Sequence, residues 1–499
     1  MPLLLIAACR PVTQQQIDPC NGPENEYYSA AEIDDVLCGY SIDRECLIME
    51  EGKEVLLQTS LVSIKLSVLG QGIDIDINMQ YKLDPITRKW FFNKSEFKTG
   101  GTVVLVSTEI RGDTAYFFEN KGKQQIKVPV TADVQLESSV SFPHLVRDFI
   151  AANAEDASYK VYDIFNGQII EKKYRKTGEE DLLLNDTIIH TIVLEETNLF
   201  TGTKAKIWLD AQTGFQLKTF VSGRTIYLTD KSVVGRITKV DYDNVIFARV
   251  NQVIPDFQQL TYMKVKARIE SPGELLTVES LNRPGQKFTG SITDNVLEGE
   301  FELEPSRYDG ANAPPFPPDF AGNTELKKYL EPERLIESDD PALVKEARRI
   351  TEGSKDSWDA ARRLSKWVSE NIEGAIPGGT TAIDTYKTRQ GECGSHSRLL
   401  AAFCRAVGIP ARLSIGCAYT THYYGSFGQH AWNEIYMGEA GWIPVDATFS
   451  ETDYIDAGHI RLGETARFMP KGMEILEYRI GKGRNIPGNS TSLIDTILR

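Results

Sequence analysis

Alternation of apolar and polar residues dominates the first half of the chain. Val62-Ser63-Ile64-Lys65-Leu66-Ser67-Val68 and Ile73-Asp74-Ile75-Asp76-Ile77-Asn78-Met79 change character at every step. A period of two marks antiparallel strands with one buried face. Lys89–Phe92, Val103–Val106 and Ala115–Phe118 continue it, and a helical stretch interrupts at about 142–152. Strands resume at Ile188–Val193, Lys204–Asp210 and Phe215–Val221, with Ala211–Gly214 as the turn between the last two. A second strand-rich run covers Tyr262–Ile269, Leu275–Glu279, Lys287–Ile292 and Val296–Leu303. Ser271-Pro272-Gly273 and Arg283-Pro284-Gly285 punctuate it. After the stiff Ala313–Pro318 stretch the period becomes helical, at about 323–330, 341–351 and 357–373. In the last of these Ala360, Leu364, Trp367 and Val368 share one face. The changes of pattern divide the chain into six parts: 1–50 as signal remnant, tether and approach segment; 51–230 as an antiparallel β domain with one helix; 231–307 as a small β-sandwich-like domain; 308–340 as a Pro-rich linker; 341–485 as a mixed domain; 486–499 as a tail.

Between Gln390 and Thr448 the pattern carries chemistry. Gly391 and Gly394 flank Cys393 and let the backbone turn tightly. A helix follows to Val407, with Leu399, Leu400, Phe403 and Val407 as its buried stripe and Gly408 and Pro410 as stop signals. Cys393 is therefore expected at the helix N-terminus, where unpaired N–H groups and the positive dipole end favour a thiolate. Such a position lowers a cysteine pKa from ~8.5 to between ~3.5 and ~7.5.

His430–Tyr436 and Trp442–Thr448 read as strands, with Met437–Gly441 as their turn. With Tyr436 opposite Ala440, Glu434 faces Trp442, Trp432 faces Pro444 and His430 faces Asp446. A carboxylate that holds an imidazole, whose other nitrogen serves a thiol, is the orienter–base–nucleophile arrangement. His396, three residues after Cys393, is an alternative base on the same helix, without an evident carboxylate to orient it. A lone cysteine near a helix start is more often a packed residue than a nucleophile. The joint occurrence of thiol, imidazole and carboxylate favours catalysis.

Gly391-Glu392-Cys393-Gly394, Gly408-Ile409-Pro410-Ala411-Arg412, His430-Ala431-Trp432-Asn433-Glu434 and Gly441-Trp442-Ile443-Pro444-Val445-Asp446-Ala447-Thr448 resemble, in this order, the transglutaminase-like superfamily of papain-like thiol enzymes. The resemblance covers about the last third of the chain, because Asp339-Asp340-Pro341 onward is similar to the helical lead-in of that family. It implies an α+β fold, with the cysteine helix packed on an antiparallel sheet; the alternating pattern places antiparallel β domains ahead of it. It implies Cys393, His430 and Asp446 as the catalytic residues. Ala447 stands where a proline is common. No motif fixes the oxyanion partner; Gln390 and Tyr386 are candidates alongside the Cys393 backbone N–H. Trp432, Tyr423 and Tyr424 are candidates for lining the cleft, and His459 and Arg461 follow the aspartate with a role left open. The implied function is thiol-dependent acyl transfer or hydrolysis on amide bonds of a protein or peptide, as in a peptidase, amidase or cross-linking enzyme. The alternative is a non-catalytic cell-envelope binding or scaffold protein that keeps the fold. No cofactor is expected, and the absence of Cys-x-x-Cys spacing argues against a metal.

Composition adjusts this picture in three places. The 499 residues suffice for about three domains, and the net charge of −15 disfavours nucleic acid as a partner. The oligomeric state is not legible. No apolar run is long enough to cross a bilayer as a helix. Ile6-Ala7-Ala8-Cys9 resembles a bacterial lipobox, which makes Cys9 a lipidation candidate with Gln14-Gln15-Gln16 and Asn21-Gly22-Pro23 as a tether. That implies a periplasmic or surface lipoprotein anchored to a membrane, and a cytoplasmic protein if Cys9 carries no lipid. Of the seven cysteines, Cys20, Cys38 and Cys46 have room for one bridge, while Cys404 and Cys417 read as small core residues. The hairpin around Trp208–Gly214 resembles the open curved sheet of bacterial lipoprotein-carrier-like domains. This implies a concave surface for a lipid, glycan or partner; a spacer that positions the enzyme is the simpler reading.

Overall fold

The computed structural model describes residues 26–99, 102–119, 126–136, 153–271, 276–305, 307–320, 322–376, 378–379, 381–421, 425–464 and 468–481. Strand outweighs helix, 53% against 17%, so the α+β expectation fits the C-terminal region better than the chain as a whole.

Residues 26–241 form one sheet of sixteen strands, counted among the described residues. Two up-and-down meanders, 26–129 and 156–229, join where Glu26–Ile33 pairs antiparallel with Arg224–Thr229, and Val134–Gln135 adds to the second in parallel. Two-residue turns drive the meander. Asp34-Asp35 and Asn185-Asp186 hold both residues at positive φ, the geometry whose twist matches the flanking strands. The sheet curls until its halves touch: the hydroxyls of Thr108 and Tyr162 lie 3.4 Å apart, and Tyr81, Trp90 and Tyr162 pack into one cluster. The concave side of the curl borders an open cleft of about 640 Å³.

The expected tether and approach segment is overturned from residue 26 onward. Glu26–Ile33 and Val36–Glu50 are strands in the middle of the sheet. Small residues such as Ser29, Ala30 and Ala31 carry little hydrophobic signal there, although Ala30 is buried. The helix expected at 142–152 and the tail at 486–499 lie outside the described residues.

The second strand-rich run does not close on itself. Gln286–Thr293, Val296–Leu303 and Leu260–Glu270 are joined by Met469–Ile480, a strand from beyond the candidate hairpin. One core links Met263, Val265 and Phe301 to Tyr419, Phe427 and Ile460 of the C-terminal region. The strand expected at Leu275–Glu279 is replaced by a helical turn, Val278–Leu281, with a reciprocal cap between Thr277 and Ser280.

The Pro-rich stretch is a brace. The carbonyls of Pro314 and Pro315 accept from Ser357 N and Oγ, each at 2.8 Å, at the start of the helix Ser357–Asn371. The helix Pro341–Thr351 starts with Asp340 as its cap and proline in the first turn. These helices and the cysteine helix, Cys393–Ala406, bury Leu343, Leu364, Val368, Leu399, Leu400 and Phe403 in one core. Each such burial contributes roughly 1.5–3 kcal/mol. The cysteine helix lies on a sheet ordered Phe247–Arg249, Ser426–Tyr436, Ala411–Thr420, His459–Gly463, with Trp442–Val445 also paired to Ser426–Tyr436. Asn433 Nδ2 donates to the Ser397 carbonyl at 2.9 Å, tying helix to sheet.

Candidate active site

Cys393 opens its helix, and Glu392 caps it. The Glu392 carboxylate accepts from Gly394 N at 2.6 Å and Ser395 N at 2.9 Å, so the N–H groups expected to favour a thiolate already hold an anion. The thiol donates to Glu392 Oε2 at 3.4 Å, and its sulfur accepts from the backbone N–H of Ala431. Burial first, and then the Glu392 charge, push the thiol well above the ordinary cysteine range. The expected lowering of the Cys393 pKa is therefore corrected: burial, and then the negative charge at the cap, outweigh the helix dipole. The Ala431 contact sets the sulfur against the strand that carries His430.

His430 Nε2 lies 2.6 Å from Asp446 Oδ2. The hairpin register differs from the expected one. Tyr436 pairs with Trp442, Glu434 with Pro444 and Asn433 with Val445. The loop is two residues longer, closed by a turn at Gly438–Ala440 and by Met437 N donating to the Gly441 carbonyl at 2.8 Å. A slip of one would have turned the two side chains to opposite faces; a slip of two preserves parity. His430 and Asp446 thus meet as diagonal neighbours. Beyond Val445 the backbone of Asp446 bridges to Glu451, and its Oδ1 accepts from Thr448 N at 2.8 Å. Burial alone would raise Asp446; the facing His430 and His459 more than reverse it and hold it well below the usual carboxylate range. Because Nε2 of His430 is committed to Asp446, Nδ1 is the nitrogen left for proton transfer. Phe449 stacks on the ring at 4.5 Å and Trp432 at 6.0 Å. Trp432 is 1% exposed, so it backs the imidazole from inside the sheet.

His459 had an open role in the sequence. Its strand, His459–Gly463, pairs with Ala411–Thr420 and returns the ring to the site. Nε2 lies 3.2 Å from Asp446 Oδ2, and Nδ1 lies 3.2 Å from Asp456 Oδ1. Asp456 and Glu451 are additional; no sequence signal singled them out. Asp456 N donates to Glu451 Oε2 at 2.9 Å. Burial, and then Asp456, push Glu451 well above the carboxylate range. The donor atoms of His430, Asp446 and His459, and of Glu451, Asp456 and His459, fall within 4.8 Å of one another. The ring nitrogens that face these carboxylates sit at hydrogen-bond distance, a geometry that protons satisfy.

The other candidates fall elsewhere. His396 directs Nδ1 at the Glu392 carbonyl (2.9 Å) and Nε2 at the Ile372 carbonyl (3.3 Å), and so ties two helices together. The Tyr386 ring stacks on Trp367 at 6.1 Å beneath the Arg389 guanidinium. Gln390 is exposed, and its carbonyl accepts from Gly379 N at 3.2 Å. Arg461 lies 3.1 Å from Ser414 Oγ and from Glu434 Oε1, bracing the sheet. Tyr423, Tyr424 and Cys9 lie outside the described residues. Cys46 is disulfide-bonded, and Cys38, Cys404 and Cys417 are buried free thiols, so among the described free cysteines Cys393 is the one solvent reaches.

Residues 345–447 match the family described as the transglutaminase-like superfamily. The matched segment contains Cys393, His430 and Asp446 and ends before His459. An uncharacterized protein of Haemophilus influenzae is 27% identical over 192 residues, covering 33% of this chain and 50% of that protein. The chain thus spans about half the length of the curated relative it matches. Among solved structures, a candidate cysteine protease of Cytophaga hutchinsonii has a TM-score of 0.31 at 17% identity, covering 45% of this chain and 90% of that one. A β-barrel-like protein of Brucella abortus has a TM-score of 0.30 at 8% identity, covering 41% and 95%. A candidate protease of Parabacteroides distasonis has a TM-score of 0.19 at 12% identity, covering 71% and 64%. Scores at this level carry no argument about the fold.

Proposed function

We propose, from a transglutaminase-like domain at residues 345–447, that this protein is a thiol enzyme acting on amide bonds of a protein or peptide. One observation carries the reading. His430 meets Asp446 at 2.6 Å on the strand whose Ala431 N–H reaches the Cys393 sulfur. In the proposed reaction Cys393 attacks the amide carbonyl, and the S–C bond forms as the thiol proton passes to His430 Nδ1. That proton moves to the leaving nitrogen as the C–N bond breaks, which leaves a thioester. Water or an amine then attacks the thioester; His430 takes one proton from it and returns that proton to sulfur as the S–C bond breaks. Water yields a carboxylic acid, the outcome of a peptidase or amidase. An amine yields a new amide, the outcome of cross-linking. Asp446 holds the imidazole and stabilises its protonated form. Because the resting thiol keeps its proton, His430 works as a general base during attack, without a preformed thiolate.

The test measures new amines released from a peptide mixture, and incorporation of a fluorescent alkylamine, by wild type, Cys393→Ala and His430→Ala. Wild-type turnover that falls roughly 10²–10⁴-fold in both variants supports the reading. Absence of both activities in folded wild type favours the non-catalytic binding or scaffold role. The contact between the Cys393 thiol and Glu392 favours that second reading, since a thiol held protonated is a poor nucleophile.

Envelope location through a lipidated Cys9 belongs to the same proposal. No helix of the described residues is long and apolar enough to cross a membrane. Membrane partition lost on Cys9→Ala supports the anchor; partition unchanged by that substitution contradicts it.

A further inference from the structure

The thiol-enzyme reading uses Cys393, His430 and Asp446 and leaves His459 without a task. His459 is 5% exposed, and both its ring nitrogens face carboxylate oxygens at 3.2 Å, Asp446 on one side and Asp456 on the other. An ionised carboxylate accepts hydrogen bonds and does not donate them. A ring that meets two of them needs a proton on each nitrogen. Burial by itself would strip the charge from His459; Asp456 and Asp446 reverse that and hold it well above the ordinary histidine range. The other groups around the ring agree with this state. Glu451, beside Asp456, is pushed well above the carboxylate range, first by burial. The His430 ring stands 5.8 Å away, and the uncharged rings of Trp432 and Phe449 close the remaining sides at 5.1 and 5.7 Å.

We infer that His459 is a buried imidazolium that positions Asp446 for His430 and opposes a second positive charge on the neighbouring imidazole. The catalytic half of this inference rests on the thiol-enzyme reading; the charge state of His459 stands apart from it. Asp446 Oδ2 is shared by two rings, at 2.6 Å from His430 and 3.2 Å from His459. One ring is a fixed cation, so the carboxylate charge is partly spent before His430 gains a proton. The thiol rests protonated beside Glu392, and its proton moves when the carbonyl is attacked. His459 lies outside the segment that matches the transglutaminase-like superfamily.

Two measurements on the full chain test this. The first is ¹⁵N NMR of the histidine rings, with His459 assigned by its loss in His459→Gln or, if that variant does not fold, by coupling to its own backbone. Two protonated ring nitrogens from about pH 5 to about pH 8 are expected. A singly protonated His459 in that range overturns the inference. The second is the pH profile of Cys393 alkylation by iodoacetamide, followed by mass spectrometry. His459→Gln keeps an amide donor for Asp446 and deletes the charge, so the acid limb moves up by roughly one pH unit or more. A changed rate with an unmoved limb assigns His459 a purely structural role and overturns the positioning claim. Wild type that never alkylates at Cys393 sinks the thiol-enzyme reading instead, while the NMR result still decides the charge.

Discussion

Two histidines in this molecule each stand between two carboxylates, one in each half of the chain. His190, in the curled sheet, meets Asp181 at 2.9 Å and Glu179 at 3.2 Å with its side chain 57% exposed. His459 meets Asp446 and Asp456 at 3.2 Å with its side chain 1% exposed. Both are held above the ordinary histidine range, His190 mainly by its hydrogen bonds to Asp181 and Glu179, His459 by carboxylates working against burial. Water screens the first arrangement and cannot screen the second. The same contrast separates the two regions. Among the described residues, Glu119 and Asp243 are the buried acidic, basic or histidine side chains before residue 341. After it come His396, Arg405, His430, Glu434, Asp446, Glu451, Asp456, His459 and Arg461. Ion pairs at a sheet surface decorate it, whereas ion pairs inside a core change the chemistry of their neighbours.

The largest effect that sharpens this contrast is expected at the shared carboxylate. Asp446→Ala leaves the His459 cation facing a cavity, a loss of about 3–5 kcal/mol by denaturant unfolding. Amine release should vanish in the same variant. A loss comparable with that of a surface substitution breaks the contrast.

Next comes the pH dependence of stability. His459 has its pKa raised in the folded chain, so the stability it contributes is fully present below ~6.5 and is lost as pH rises through the folded value. The denaturation midpoint should therefore fall on going alkaline from ~6.5, and His459→Gln should flatten that limb. Asp446, whose pKa is lowered, contributes stability above ~3.9 that is lost as pH falls through its folded value.

Glu392→Gln is expected to act more locally. It removes the carboxylate 3.4 Å from the sulfur while keeping an oxygen for the helix N–H groups. Cys393 alkylation should shift to lower pH, with a cap cost of no more than ~1 kcal/mol. The smallest effect belongs to His190→Ala, for which thermal unfolding should be unchanged within error. A clear loss there would place the exposed cluster in the same class as the buried one.

Local pattern made much of this legible. The helix Pro341–Thr351 was read to both ends, because Asp340, Pro341 and an apolar stripe agree. Cys393 at a helix start and His430 beside Asp446 followed from short-range turn and strand signals. The hairpin register was misjudged by two residues because its five-residue loop is set by the Gly438–Ala440 turn, which apolar spacing does not encode. Glu392 was visible in sequence, but only geometry reveals that its carboxylate faces the thiol. His459, Asp456 and Glu451 were hidden for another reason: their meeting depends on strand His459–Gly463 pairing with Ala411–Thr420, some forty residues earlier. The joining of Met469–Ile480 to Leu260–Glu270 is non-local in the same way. Within residues 26–50, the small residues Ser29–Ala31 gave little signal, although Ala30 is buried at the sheet centre.

The most direct measurement of the central claim is the rate of Cys393 alkylation by iodoacetamide at neutral pH in wild type and in His430→Ala, with buried Cys404 and Cys417 as internal references. The account predicts selective labelling of Cys393 in wild type and a fall of at least roughly tenfold in the variant. Equal rates in the two proteins would contradict it.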